Sequence, residues 1–134
     1  MSTLVDSSVL LDIMAGSAWR EWSEQQLARL LSEGEVAINQ VVYAEVAVGF
    51  ATQQRLERAL QSVGIKRIAL PWASAWRVAR AFAEYRRAGG SRTLPLPDFF
   101  IGAHAEVAGL RLLTRDPARV RTYFPAVALI APSG

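Results

Sequence analysis

Short apolar runs alternate with helical stretches along this chain, and that alternation decides its fold class. Thr3-Leu4-Val5, Val36-Ala37-Ile38, Lys66 to Leu70, Leu112-Leu113-Thr114 and Ala128-Leu129-Ile130 read as strands. Between them, Ser7 to Met14, Trp19 to Leu31, Gln40 to Ala51, Gln54 to Val63, Trp72 to Arg87, Asp98 to Ala108 and a short turn from Pro117 to Tyr123 read as helices, with Gly16, Gly34 and Gly109 as stops. Strands separated by helices are joined by crossovers, so the expected fold is α/β with a mostly parallel sheet of four to five strands covered by helices. In the clearest helix, Trp72, Trp76, Ala79 and Ala83 are expected to form the apolar stripe. Arg77, Arg80, Glu84 and Arg87 are expected to form the polar one.

The 134 residues suit one domain with a core that needs no staples. The absence of Cys removes disulfides, thiol nucleophiles and zinc–thiolate sites. No run reaches the roughly 18 apolar residues of a membrane helix, and Asp6 interrupts the first apolar segment where a signal peptide would continue. A cytoplasmic protein with no membrane partner is expected. Charge is uneven. Residues 1–65 carry eight acids and four bases, net −4, whereas residues 66–134 carry eleven bases and four acids, net +7. Fourteen of the fifteen bases are Arg, whose planar fork pairs with phosphate in two places. Solvated helix faces in an Arg-rich protein would give the same bias.

Four acids stand out. Asp6 follows the first strand, where it either caps the helix at Ser7 or lies at the carboxyl end of a parallel strand, the place where open α/β sheets bind ligands. Glu45 has Val41, Val42, Val48 and Gly49 at helical neighbour positions, with no Lys or Arg within a turn. A carboxylate on an apolar face costs several kcal/mol unless it is paired, protonated or bound to a cation. Asp98 follows Leu94-Pro95-Leu96-Pro97 and reads as a helix cap, yet Ile101 and Gly102 place it over the buried side. Asp116 precedes Pro117, again a cap arrangement. Gathered together, four carboxylates repel, and a hard divalent cation relieves that repulsion. Mg²⁺ is expected, with Mn²⁺ as a substitute.

VDSSVLLD near the start, INQVVYAEV in the middle and PDFFIGAHAEVAGLRLLTRDPARVRTYFPAVALIAP at the end together resemble the PIN-domain ribonucleases. More narrowly, they resemble VapC-type toxins of type II toxin–antitoxin modules. The resemblance covers nearly the whole chain, as a single PIN-like domain over residues 1–134 with a three-layer fold. It implies that Asp6, Glu45, Asp98 and Asp116 bind the metal and direct phosphodiester hydrolysis, with Ser8 and Thr114 in support. It also implies a structured RNA substrate such as transfer or ribosomal RNA, translation inhibited until a cognate antitoxin binds, a homodimer, and a heterotetramer or larger assembly with the antitoxin. Asn39-Gln40 stands where the family often has Ser or Thr before the central helix.

On this reading Asp6 and Asp98 hold the cation most tightly, and Arg115, Arg86, Arg87 and Arg92 are candidate phosphate clamps. His104, the only His, lies six residues beyond Asp98 and reads as a partly exposed helix residue. The pairs Trp19–Trp22 and Trp72–Trp76 suit core packing or a dimer face better than RNA stacking. Three rivals fail on residues. A haloacid-dehalogenase-like phosphatase needs an Asp where Ser8 stands, a receiver domain needs a late Lys, and a dinucleotide-binding domain needs glycines after the first strand. A non-catalytic PIN-like module in an autoregulatory complex is the alternative from another class. A DNA nuclease is a third reading.

Overall fold

A computed structural model describes residues 2–133. Five short strands, β1 (Thr3–Val5), β2 (Val36–Ile38), β3 (Lys66–Arg67), β4 (Arg111–Leu113) and β5 (Leu129–Ile130), form one sheet in the order β3-β2-β1-β4-β5. Every pairing is parallel. Seven helices flank it among the described residues: α1 (Ser7–Ala15), α2 (Arg20–Glu33), α3 (Gln40–Ala47), α4 (Gln53–Val63), α5 (Trp72–Arg87), α6 (Pro97–Ala108) and α7 (Ala118–Tyr123). The central strands are apolar on both faces, as a covered parallel sheet requires: Leu4, Val5, Ala37, Ile38, Leu112 and Leu113 are all inaccessible. No helix is long and apolar enough to cross a membrane among these residues.

The topology places a crevice. From β1 the chain moves outward to β2 and β3, then returns to the other side of β1 for β4 and β5. Open α/β sheets bind ligands beyond the strand carboxyl ends at such a switch point. Here it lies between β1 and β4. Their register pairs Val5 with Leu113, so the next residues, Asp6 and Thr114, emerge side by side.

Several expectations need correction. In α5 the inward stripe is Ser74, Val78 and Ala81, with Phe82 and Tyr85 half-buried. Trp72 is 93% exposed and Trp76 69%. The core-facing row is therefore offset by about two positions from the tryptophans, and Arg80 lies 5.0 Å over the Trp76 ring. Arg77 is not on a solvated stripe. It is half-buried, bonds Glu106 and the Tyr123 carbonyl, and lies 4.7 Å from the Phe124 ring centre. His104 is fully buried, because α6 is small and apolar enough to be enclosed on nearly every side; Phe99 and Ile101 to Ala105 are all buried. The β3 strand is two residues long rather than five, and α3 ends at Ala47 rather than Ala51.

Candidate functional site

The start of α1 is stitched to the chain leaving β4. Asp6 occupies the cap position of α1 but makes no capping bond. Its Oδ2 instead accepts from the Ser8 hydroxyl at 2.7 Å and the Thr114 hydroxyl at 2.8 Å. Those hydroxyls in turn accept backbone N–H groups, Ser8 from Arg115 and Thr114 from Asp116. Two small side chains thus hold the Asp6 carboxylate and the Thr114–Asp116 turn in a single network. Burial is the main cause that pushes the Asp6 carboxyl above its ordinary range, with Asp98 adding to it, while the two hydroxyl bonds pull it back.

Glu45 reaches the same place from α3. Its neighbours are less apolar than the spacing suggests, because Val48 is 87% exposed. Glu45 sits half-buried at the edge, where its Oε1 accepts from the Ser7 hydroxyl at 2.8 Å. Its carboxyl is also raised, chiefly by burial, with Asp6 and Asp98 both contributing repulsion. Asp98 lies in the first turn of α6, whose cap is Leu96. Its Oδ2 accepts from Arg119 at 3.0 Å, whereas its Oδ1 is buried with no hydrogen-bond partner among the described residues. Asp116 is the most open, its side chain 66% exposed, and Pro117 rather than Asp116 takes the cap position of α7.

All four acids line one hollow of about 400 Å³, together with Ser7, Ser8, Leu11, Leu96, Pro97, Arg92, Arg115 and Arg119. Among the described residues no three His, Cys, Asp or Glu side chains come close enough to form a ready-made metal cage. Arginines hold two of the acids: Arg119 pairs with Asp98 and Arg115 with Asp116. The donor set nonetheless suits a hard cation. It is all oxygen, two of its carboxyls are raised by burial and mutual repulsion, and one buried carboxylate oxygen lacks a partner.

The arginines separate into groups. Arg92 and Arg115 line the hollow. Arg86 instead donates to the Gly90 and Arg92 carbonyls, and neither it nor Arg87 lines the hollow. Three participants escape a reading of the sequence. Arg119 is half-exposed and paired with Asp98. Ser7 orients Glu45. Asp12 is buried and accepts from Ser17, Ser23 and Arg115, which fixes Arg115 in place. Asp12 carried a signal, because it interrupts an apolar helix just as Glu45 does. A further tie joins the helices that carry Glu45 and Asp98. Asn39 caps α3 by accepting from the Val42 N–H at 3.0 Å, and its amide lies 3.1 Å from His104 Nδ1 on α6. An amide donor there makes Nδ1 the acceptor and His104 neutral, in keeping with burial holding its pKa below the usual histidine value.

With this geometry in view, comparison with known proteins is informative. The PIN domain family model matches residues 3–125, and the chain belongs to that family. A comparison with curated proteins finds no match. Among solved structures, VapBC2 from Rickettsia felis bound to a promoter DNA fragment is similar at a TM-score of 0.74 and 15% identity, covering 98% of each chain. A toxin–antitoxin complex from Klebsiella pneumoniae is similar at 0.71 and 25% identity, again over 98% of each chain. FitAcB from Neisseria gonorrhoeae is similar at 0.70 and 20% identity over 96% of each.

Proposed function

We propose that this PIN-domain protein is the toxin of a type II toxin–antitoxin pair: a Mg²⁺-dependent endoribonuclease that cuts structured RNA, such as transfer or ribosomal RNA, and blocks translation until its antitoxin covers the site. The observation that carries this reading is the meeting of Asp6, Glu45, Asp98 and Asp116, from four separate segments, around one hollow at the sheet's switch point. Asp6 and Asp98 would hold the cation, with Glu45 and Asp116 completing its surroundings. When bound, a divalent cation supplies a nucleophilic water near neutral pH and neutralises charge on the phosphate. Ser8 and Thr114 fix the direction of Asp6, and Ser7 that of Glu45. Arg92, Arg115 and Arg119 offer donors to phosphates on either side of the cut. The exposed Trp72 and Trp76 suit burial against a second copy, and the toxin–antitoxin assemblies that resemble this chain support an antitoxin partner.

One observation favours a second reading, that of a non-catalytic binding module: Asp98 and Asp116 are already paired with arginines. A Mg²⁺ titration read by melting temperature separates the two, since only a ligand of the folded state raises it. The nuclease reading expects a rise in the native chain and none in Asp98→Asn. It also expects new 5′ ends in total RNA with Mg²⁺ for the native chain alone. A native chain that neither stabilises nor cuts leaves the binding module.

A further inference from the structure

A second hollow, of about 460 Å³, adjoins the acidic one and shares Asp98, Asp116 and Arg119 with it. Its remaining wall is different in kind. Tyr85 and Tyr123 meet nearly edge to face, their ring centres 6.1 Å apart, with Pro117 and Thr122 beside them. Arg119 stands on the border, with its guanidinium 5.9 Å from the Tyr85 ring centre and one nitrogen on Asp98. Thr122 already donates its hydroxyl proton to the Ala118 carbonyl, so any further bond its oxygen makes is as an acceptor. Asp116 is a second acceptor, largely open to solvent.

We propose that this second hollow is a nucleoside subsite. It would take the base and ribose next to the phosphate that is cut, with the base against the tyrosine wall and the adjoining phosphate on Arg119. The proposal rests on the nuclease reading and adds where the substrate's neighbouring nucleotide lies. Three features carry it. A polymer seated at the acidic hollow must continue over an adjoining surface, and this hollow shares its border. Aromatic walls favour the flat faces of bases whatever their sequence. The acceptors Thr122 and Asp116 suit the hydroxyl and amino donors of a ribonucleoside, while a guanidinium at the border suits the phosphate between the two hollows. The volume is in the range of sites that enclose a small molecule.

The chain has three tyrosines, and the third, Tyr43, lies outside both hollows, so it serves as an internal control. The experiment is NMR of ring-labelled tyrosine and of the arginine side-chain N–H groups, with Ca²⁺ replacing Mg²⁺ to prevent cutting. The probes are rA8, rU8 and an abasic ribose-phosphate oligomer of equal length. The subsite expects Tyr85 and Tyr123 to shift with rA8 and rU8, much less with the abasic oligomer, while Tyr43 stays still. Ala118→Trp, which fills the hollow from an exposed position, is expected to weaken rA8 binding roughly tenfold and leave the abasic oligomer unchanged. Equal tyrosine shifts with the abasic oligomer, or unchanged rA8 affinity in Ala118→Trp, would overturn the base site. Tyrosines silent while Arg92, Arg115 and Arg119 respond overturn the subsite and leave the nucleic-acid reading standing. Tyrosines that move only when a co-expressed antitoxin binds give the hollow to a protein and overturn it equally. Silence of every probe group toward all three oligomers removes the nuclease reading as well.

Discussion

At the scale of single residues, the site is built from acids kept where they are uncomfortable. The buried Asp6 carboxyl keeps its proton further up the pH scale in the folded chain than in the unfolded one. Its contribution to stability is therefore complete below the ordinary Asp range and is lost as pH rises through the folded value. Asp6→Asn removes that loss and still offers an oxygen to Ser8 and Thr114. In metal-free protein its melting temperature should match or trail the native chain in acid and exceed it near neutral pH. A gap that stays constant with pH would show that the Asp6 charge is not penalised. Cleavage should be absent in this variant at every pH. Glu45 was legible as an acid on an apolar helical stripe, whereas Asp6, Asp98 and Asp116 read equally as helix caps, and the set of four rested on the resemblance to the PIN-domain ribonucleases. Their arginine partners were not legible. Nothing in the spacing of Arg119 or Arg115 shows that they bend back onto Asp98, Asp12 and Asp116, since such pairing depends on how α6, α7 and α1 are placed.

At the scale of elements, periodicity located nearly every helix and strand but misjudged the buried faces of α5 and α6. The α6 helix is buried on most sides, so a period argument has no solvent face on which to anchor, and His104 was placed outward. Of the two readings of the α5 tryptophans, core packing or a dimer face, the first fails, because the helix packs through Ser74, Val78 and Ala81 and leaves both rings exposed. The close fit of α6 has a measurable consequence. A Cβ at Gly102 would lie 2.6 Å from the buried Phe124 ring. Phe124 is enclosed and in contact with Phe99, so it has little room to retreat. Gly102→Ala should cost about 1–3 kcal/mol in urea unfolding. It should also lower cleavage in whatever fraction remains folded, because the displaced helix carries Asp98. Full stability in this variant would mean that α6 is looser than its packing indicates.

At the scale of the whole molecule, the fold sets Asp6 and Glu45 of the acidic first half beside Arg92, Arg115 and Arg119 of the basic second half around one hollow. The α/β class followed from the alternation of elements, but strand order did not, since any parallel order satisfies the same pattern. If Arg92, Arg115 and Arg119 all reach phosphate, the affinity for single-stranded RNA should fall with salt at a logarithmic slope of about −2. Binding measured in Ca²⁺ over a range of KCl concentrations checks this, and a flat response would mean that the arginines serve only the protein's own acids. The bond between Asp6 and Thr114 spans 108 positions of the chain. A ribosome making this protein therefore releases Asp6 long before Thr114. A product that stops short of Thr114 lacks the second side of the hollow, so on the nuclease reading no fragment of this kind could gather the acids, and the activity would wait for that late residue.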